Sequence, residues 1–331
     1  MPVFNGEEFL EEAIGSILRQ SLPNFELLIV DDASSDASPR IVERFASQDS
    51  RIRVITKKQN LGLVAARNTI MDAASGEFIA WNDQDDVSSA SRLEVQAKAF
   101  ESDPSLSVLG SWTLVRSQLG AQLNQTVRRM PLRDPELRSA LIFTNVLSCN
   151  TVTLRRQPFI DHDLRFSPAA ENALDYELWT RCSGALKMRN LPRVLGTYRV
   201  HQNQNSSGAG GTRMAERAWE IQNRYLAKSL GEFSATSLSI HRLLGESVSR
   251  CATTYEPQEV SLYLTSLHDR NHRNRVFSQA SFNKTLGTRW FLYSRERLRQ
   301  HPGDITFILR ASPTKWLPST TARYLGWRFH R

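Results

Sequence analysis

Twice within the first ninety residues, an apolar run too short for a helix stops on aspartates. Phe25-Glu26-Leu27-Leu28-Ile29-Val30 ends at Asp31-Asp32, and Glu77-Phe78-Ile79-Ala80-Trp81 ends at Asn82-Asp83-Gln84-Asp85-Asp86-Val87. Runs of this length bounded by turn residues fit strands buried on both faces. The intervening chain has helical spacing. Residues 7–20 place apolar side chains at 9, 10, 13, 14, 17 and 18, with glutamates in the first turn and Arg19 in the last, as the helix dipole favours. A helix over 37–47, a strand over Ile52–Thr56, a turn at Asn60-Leu61-Gly62 and a helix over 63–74 follow. Strand and helix therefore alternate, which predicts an α/β domain with a mostly parallel sheet and helices on both faces.

Open sheets of this kind bind ligands at the carboxyl ends of their strands. Both acidic clusters fall there, facing one crevice. Carboxylates as close as Asp83, Asp85 and Asp86 coexist only beside a cation or with raised pKa values. A hard divalent cation takes oxygen ligands and keeps waters and substrate phosphates. A solvated acidic loop is the competing reading. An EF-hand is excluded, because its glycine and distant glutamate are missing.

Further along, 92–102 reads as a helix, Leu106–Val115 and Cys149–Leu154 as strands, 172–183 as a helix and Leu191–Tyr198 as a strand. The polar, glycine-rich stretch HQNQNSSGAGGT at 201–212 marks a boundary. The predicted organisation is an α/β domain over 1–205 and a mostly helical region over 206–331. Met1–Gly6 reads as the exit of a strand whose body lies upstream, so a truncated first strand is expected.

The 331 residues carry 42 Lys and Arg against 34 Asp and Glu, a formal charge of +8. The excess crowds the C-terminal end, where Arg289, Arg295, Arg297, Arg299, Arg310, Lys315, Arg323, Arg328 and Arg331 alternate with Trp290, Phe291, Trp316, Tyr324, Trp327 and Phe329. That mixture suits peripheral contact with an anionic membrane or a helical face packed by its aromatics. Nucleic acid is not expected, since charge without a recognition motif gives only non-specific affinity. Cys149, Cys182 and Cys251 fit no metal spacing and read as buried, reduced thiols in a cytoplasmic protein. There is no apolar run of the ~18 residues a membrane span needs, and the opening residues lack a secretory signal's basic and apolar segments.

The segments PVFNGEEFLEEAIGSILRQS, LLIVDDASSD, NLGLVAARN, GEFIAWNDQDD, ALDYELWTR and YRVHQNQNS, in that order, resemble the family 2 glycosyltransferases, inverting enzymes of the GT-A fold. The likeness runs from Pro2 to about Ser207. It implies a nucleotide-diphosphate-sugar donor of UDP type, Mg²⁺ or Mn²⁺ at its pyrophosphate, and a glycan or lipid-linked acceptor at the inner face of the membrane. Surface-polysaccharide assembly is the implied context. By the same resemblance Pro2 and Phe4 line the nucleobase pocket, Asp32 contacts the base with Asp31 beside it, and Arg67 lies near the nucleotide. Asp83 and Asp85 form the DxD pair, Asp85 ligates the metal, and His201 and Arg199 approach metal or phosphates. Asp175 is the implied catalytic base. Leu174 stands where the family usually has Glu, which removes an expected acceptor contact. A nucleotidyltransferase is disfavoured by the acidic Glu7-Glu8 after the first strand. A non-catalytic nucleotide-sugar-binding module is the alternative that a truncated start would favour.

Overall fold

The computed structural model describes residues 1–119, 122–201, 204, 208–245 and 254–313. It separates into two compact units, Met1–Arg133 with Val146–Arg217, and Asp134–Asn145 with Ala218–Arg331. The division lies past the glycine-rich stretch chosen from sequence, and residues 134–145 group with the helical unit.

In the first unit, β1 (Pro2–Val3), β2 (Leu27–Asp31) and β3 (Ile52–Thr56) form a parallel sheet in that order. The pairs Pro2 with Val30 and Val3 with Asp31 fix the first register, and Leu27 to Asp31 align with Ile52 to Thr56 in the second. Pro2–Val3 is a two-residue strand at the edge of this sheet. Helices α1 (Leu10–Leu18), α2 (Ser38–Gln48) and α3 (Gly62–Ala73) supply the crossovers. Leu10, Ala13, Ile14 and Ile17 of α1 pack with Val3, Leu27, Ile29, Val42 and Ile52. The apolar spacing on α1 meets the continuous apolar face of β2, and their burial drives this half of the domain together.

Parallel pairing of consecutive strands stops at β3. A second, six-stranded sheet contains β4 (Phe78–Ala80), β5 (Val87–Ser88), β6 (Leu106–Leu119), β7 (Gln122–Arg128), β8 (Thr153–Arg155) and β9 (Lys187–Val200). Only β6 with β9 is parallel; β4–β8, β5–β9, β6–β7 and β6–β8 are antiparallel. Short connections such as that between β6 and β7 permit antiparallel neighbours, whereas parallel ones need a long crossover. Helix α4 (Arg92–Ser102) packs Phe100 against Leu106, Leu109, Leu191 and Leu195. Helix α7 (Leu174–Cys182) precedes β9.

The second unit is helical: α5 (Asp134–Ala140), most of α8 (Gly208–Leu230), α9 (Ala235–Gly245), α10 (Pro257–Asn274), α11 (Gln279–Gln300) and α12 (Ile305–Ala311). Helix α10 opens on a capping box between Glu256 and Glu259, with Pro257 in its first turn, and ends on Arg275 at φ 54°. Residues 134–145 join this unit through named bonds. Ser139 Oγ meets Thr285 Oγ1 at 2.7 Å, and Lys284 Nζ meets Glu136 at 2.9 Å. Imidazole Nε2 of His241 lies 2.7 Å from the carbonyl of Ile142. Among the described residues no helix is long and apolar enough to cross a membrane. The basic–aromatic residues from 314 onward lie outside the described residues.

Candidate active site

The turn after β2 is built by the first aspartate pair. Asp31 Oδ1 accepts from the backbone N–H of Ser34 at 3.2 Å and its hydroxyl at 2.6 Å, holding Ala33 at φ 62°. Asp32 accepts from the N–H groups of Leu61 at 3.1 Å and Gly62 at 2.7 Å. Helix α3 has no side-chain cap of its own at Leu61, so a carboxylate from another strand satisfies its first donors and complements its dipole. Asp32, the expected base contact, and Asp31 beside it are both buried, Asp32 engaged with backbone N–H groups and Asp31 with Ser34 of the turn.

The loop leaving β1 is fixed from two sides. Asn5, at φ 46°, donates its N–H to Ser34 Oγ at 3.0 Å, Gly6 donates to Ser38 Oγ at 2.9 Å, and Glu7 donates to Asp36 at 3.0 Å. From the other side Gln84, inside the acidic loop, clasps Phe4. Its Oε1 accepts the Phe4 N–H at 2.8 Å and its Nε2 donates to the Phe4 carbonyl at 3.1 Å. A Cβ on Gly6 would lie 2.5 Å from the Gln84 amide, so the clasp closes only over a glycine. The Phe4 ring remains 44% exposed beside Pro2, which is buried in β1.

Arg67, buried on α3, brings the second set together. Its Nη2 donates to Asp83 Oδ1 at 2.8 Å, and its guanidinium lies over Trp81 at 5.7 Å and Phe166 at 5.3 Å. Burial works against its charge, yet Cys149, Asp83 and Asp175 outweigh that and raise its pKa. Burial also pushes the Cys149 thiol up. Asp175 stands in the first turn of α7 and accepts from the N–H of Tyr176 at 2.8 Å. Asp83 and Asp175, 92 positions apart in the chain, share one cation's neighbourhood.

Asp85 and His201 make the other pair, with Oδ2 to Nε2 at 3.0 Å. Burial and the neighbouring Asp83 raise the Asp85 carboxyl, while its hydrogen bond with His201 pulls it back. Burial, Asp85 and Asp83 hold Asp86 well above the usual carboxylate range. Arg199 ties this loop to the end of β9. Its N–H reaches Asp86 Oδ1 at 3.0 Å, its Nε the carbonyl of Asp85 at 2.9 Å, and its Nη2 Glu12 at 2.8 Å. Arg199 thus anchors the acidic loop to the end of β9 and to Glu12.

Among the described residues no group of three or more His, Cys, Asp or Glu side chains is gathered to hold a metal unaided. Asp83 faces Arg67, leaving Asp85 and His201 as an adjacent oxygen and nitrogen donor. Two protein donors fit a cation that completes its shell with waters and substrate phosphates.

Behind the loop, fully buried Arg92 donates to the carbonyls of Trp81 at 2.8 Å and Val152 at 3.1 Å, and to Ser88 Oγ at 3.0 Å. Burial lowers its pKa to about 10. Gln96 accepts from Arg92 Nε and donates to Leu109 and Thr151. Arg92, Gln84 and the placement of Cys149 escaped the sequence reading. For Arg92 a signal existed: Arg92, Gln96 and Phe100 share one helical face, so polar side chains stand on the buried stripe.

Residues 1–163 match the model of glycosyl transferase family 2. An uncharacterized glycosyltransferase of Haemophilus influenzae is 30% identical over 210 residues, covering 62% of this chain and 65% of the relative; this chain therefore spans slightly less than two thirds of that protein. The UDP-Glc:alpha-D-GlcNAc-diphosphoundecaprenol beta-1,3-glucosyltransferase WfgD of Escherichia coli is 28% identical over 242 residues, 70% of this chain and 86% of that protein. The S. aureus TarS 1–349 structure, solved in complex with UDP-GlcNAc, superposes with a TM-score of 0.57 at 19% identity, covering 90% of both chains. At that identity the likeness establishes the fold.

Proposed function

We propose, from the match of residues 1–163 to glycosyl transferase family 2, that the chain moves a sugar, with inversion, from a nucleotide-diphosphate donor to an acceptor hydroxyl. The observation that supports the reading is the ion pair of Asp83 with buried Arg67, whose charge Asp175 also favours, with Asp85 of the same acidic loop paired to His201 at the end of β9.

The acceptor hydroxyl is a weak nucleophile at neutral pH, and Asp175 takes its proton as the oxygen bonds to the anomeric carbon. The bond from that carbon to the donor's phosphate oxygen breaks, and its electron pair leaves with the nucleoside diphosphate. Asp85 and His201, with Asp83 alongside, would hold a Mg²⁺ or Mn²⁺ ion, which supplies Lewis-acid stabilisation of the departing diphosphate when bound. Arg67 adds a fixed positive charge without reorganisation. Phe4, clasped by Gln84, offers an exposed ring for a nucleobase, and Pro2, Asp31 and Asp32 shape the wall beside it.

The donor is taken to be UDP-linked, in keeping with the donor in the name of the E. coli relative, and the acceptor to be a glycan or lipid-linked sugar in surface-polysaccharide assembly. The protein would work in the cytoplasm at the inner membrane face, with the basic region after residue 285 as one point of membrane contact. Non-catalytic nucleotide-sugar binding rested on a missing first strand, and Pro2–Val3 do pair with β2. The deciding experiment is transfer from UDP-sugars by wild type and Asp175→Asn. Retained UDP binding with transfer lowered ~10²–10⁴-fold is expected; equal turnover of the two proteins would remove Asp175 as the base.

A further inference from the structure

We propose that the outward face of the β7–β6–β9 wing is a docking surface for an anionic lipid bilayer. These three neighbouring strands carry no Asp or Glu; of their basic residues Arg116 and Arg193 are exposed, whereas Lys187 pairs with Asp103, Arg199 with Glu12, and Arg128 is in register with buried Thr113. The absence of acidic residues extends over the whole stretch 104–133. Along β6 the faces differ: Thr113 is wholly buried, whereas Trp112 and Leu114 are half-buried and Arg116 is exposed.

Register sets what else lies on that outward face. Leu114 pairs with Val127, Arg116 with Gln125, and Trp112 with Val194, and paired residues project to the same side of a sheet. Leu123 alternates with Gln125 and Val127 and so joins them. Leu123 is 47% exposed, Val127 41% and Val194 40%. Arg129 lies over the Trp112 ring at 5.6 Å, presenting its charge at the rim. Among the described residues no carboxylate pairs with Arg116, Arg129 or Arg193.

Charge complementarity selects the occupant. A second copy would bring arginine against arginine. Nucleic acid would use the arginines and leave the aliphatic side chains without gain. An anionic bilayer uses both, with guanidinium groups at the phosphates, aliphatic side chains at the acyl boundary and an amphipathic tryptophan between them. The face does not depend on the transfer reaction.

The test is co-sedimentation of the full chain with phosphatidylcholine vesicles and with vesicles containing phosphatidylglycerol. Binding to the anionic vesicles only, weakening with salt, is expected. One basic residue at such a surface is worth roughly fivefold in partitioning, so Arg116→Gln with Arg129→Gln should weaken binding about 25-fold. Leu123→Ser with Val127→Ser should weaken it independently, and UDP binding reports that each variant is folded. Equal binding by wild type and both double variants, no binding to either vesicle, or salt-sensitive binding to RNA in place of vesicles would overturn the proposal. Self-association of the wild type that these variants abolish would assign the face to a second copy and overturn it too.

Discussion

His241 in the helical unit lies between two partners, the carbonyl of Ile142 at 2.7 Å and the hydroxyl of Tyr263 at 2.6 Å, under the stacked ring of Phe143. Asp86 in the first unit is buried too and Asp85 half-buried, but beside further carboxylates. In the helical unit a buried polar group is matched by neutral donors and acceptors, so it joins α9 to α10 and to residues 134–145 as architecture. In the first unit like charges are held together, an arrangement that costs stability until something outside the chain offsets it. A satisfied network marks structure; grouped, unbalanced charge marks a site.

The largest break in this comparison is the loss of Asp175, as described above. Next in size is Asp85→Asn, which should weaken Mn²⁺-dependent transfer by more than the ~10–100-fold typical of outer-shell changes at metal sites. Mn²⁺ should raise the melting temperature of wild type in the presence of UDP and leave that of the variant nearly unmoved. Equal stabilisation of both would separate Asp85 from the cation.

The two units should also answer pH with opposite sign. Burial holds the folded His241 pKa down at about 4 against 6.5 unfolded. Its contribution is therefore complete above pH 6.5 and is lost as pH falls through 4, worth about 3 kcal/mol at ~1.4 kcal/mol per pKa unit. Asp85 and Asp86 have raised folded values, so their contribution is complete below the unfolded carboxylate range and is lost as pH rises through the folded values. Hydrogen exchange should show α9 and α10 opening first on acidification, and His241→Gln should remove that acid sensitivity. Uniform protection across both units from pH 7 to 4 would contradict the contrast.

The smallest effect concerns the clasp. Gln84→Ala removes two hydrogen bonds between the acidic loop and Phe4, each worth about 1 kcal/mol. A donor KM raised several-fold with kcat preserved is expected. A fall in kcat alone would show that Gln84 acts on the reaction and not on donor seating.

Much of this was legible in the sequence because it is local. The apolar run from Leu27 with its terminal aspartates, the 9–18 helical stripe and Ile52–Thr56 each announce their element within a few residues, and the motif order announced the family. What escaped depends on distant pairing. The second sheet's antiparallel order arises because β8 inserts between β4 and β6, and no period in the chain records that. Residues 134–145 look like any short helix until Ser139 and Glu136 find Thr285 and Lys284 about 150 positions away. Cys149 looked inert from its spacing, and its burial beside Arg67 comes from the turn before β8. Gln84 stands between the two aspartates of the DxD pair, and nothing local shows that its amide reaches Phe4.

Ala33, held left-handed beside the first aspartate pair, makes this turn nearly indifferent to one kind of drift. Glycine would adopt that backbone more easily by ~1–2 kcal/mol, but would loosen the unfolded chain by ~0.4–1 kcal/mol, so the two residues come close to equivalence. Valine or isoleucine gains nothing on either side and brings a branched Cβ into a region that barely admits alanine. The β2 exit can therefore exchange its smallest residues freely while remaining closed to most others.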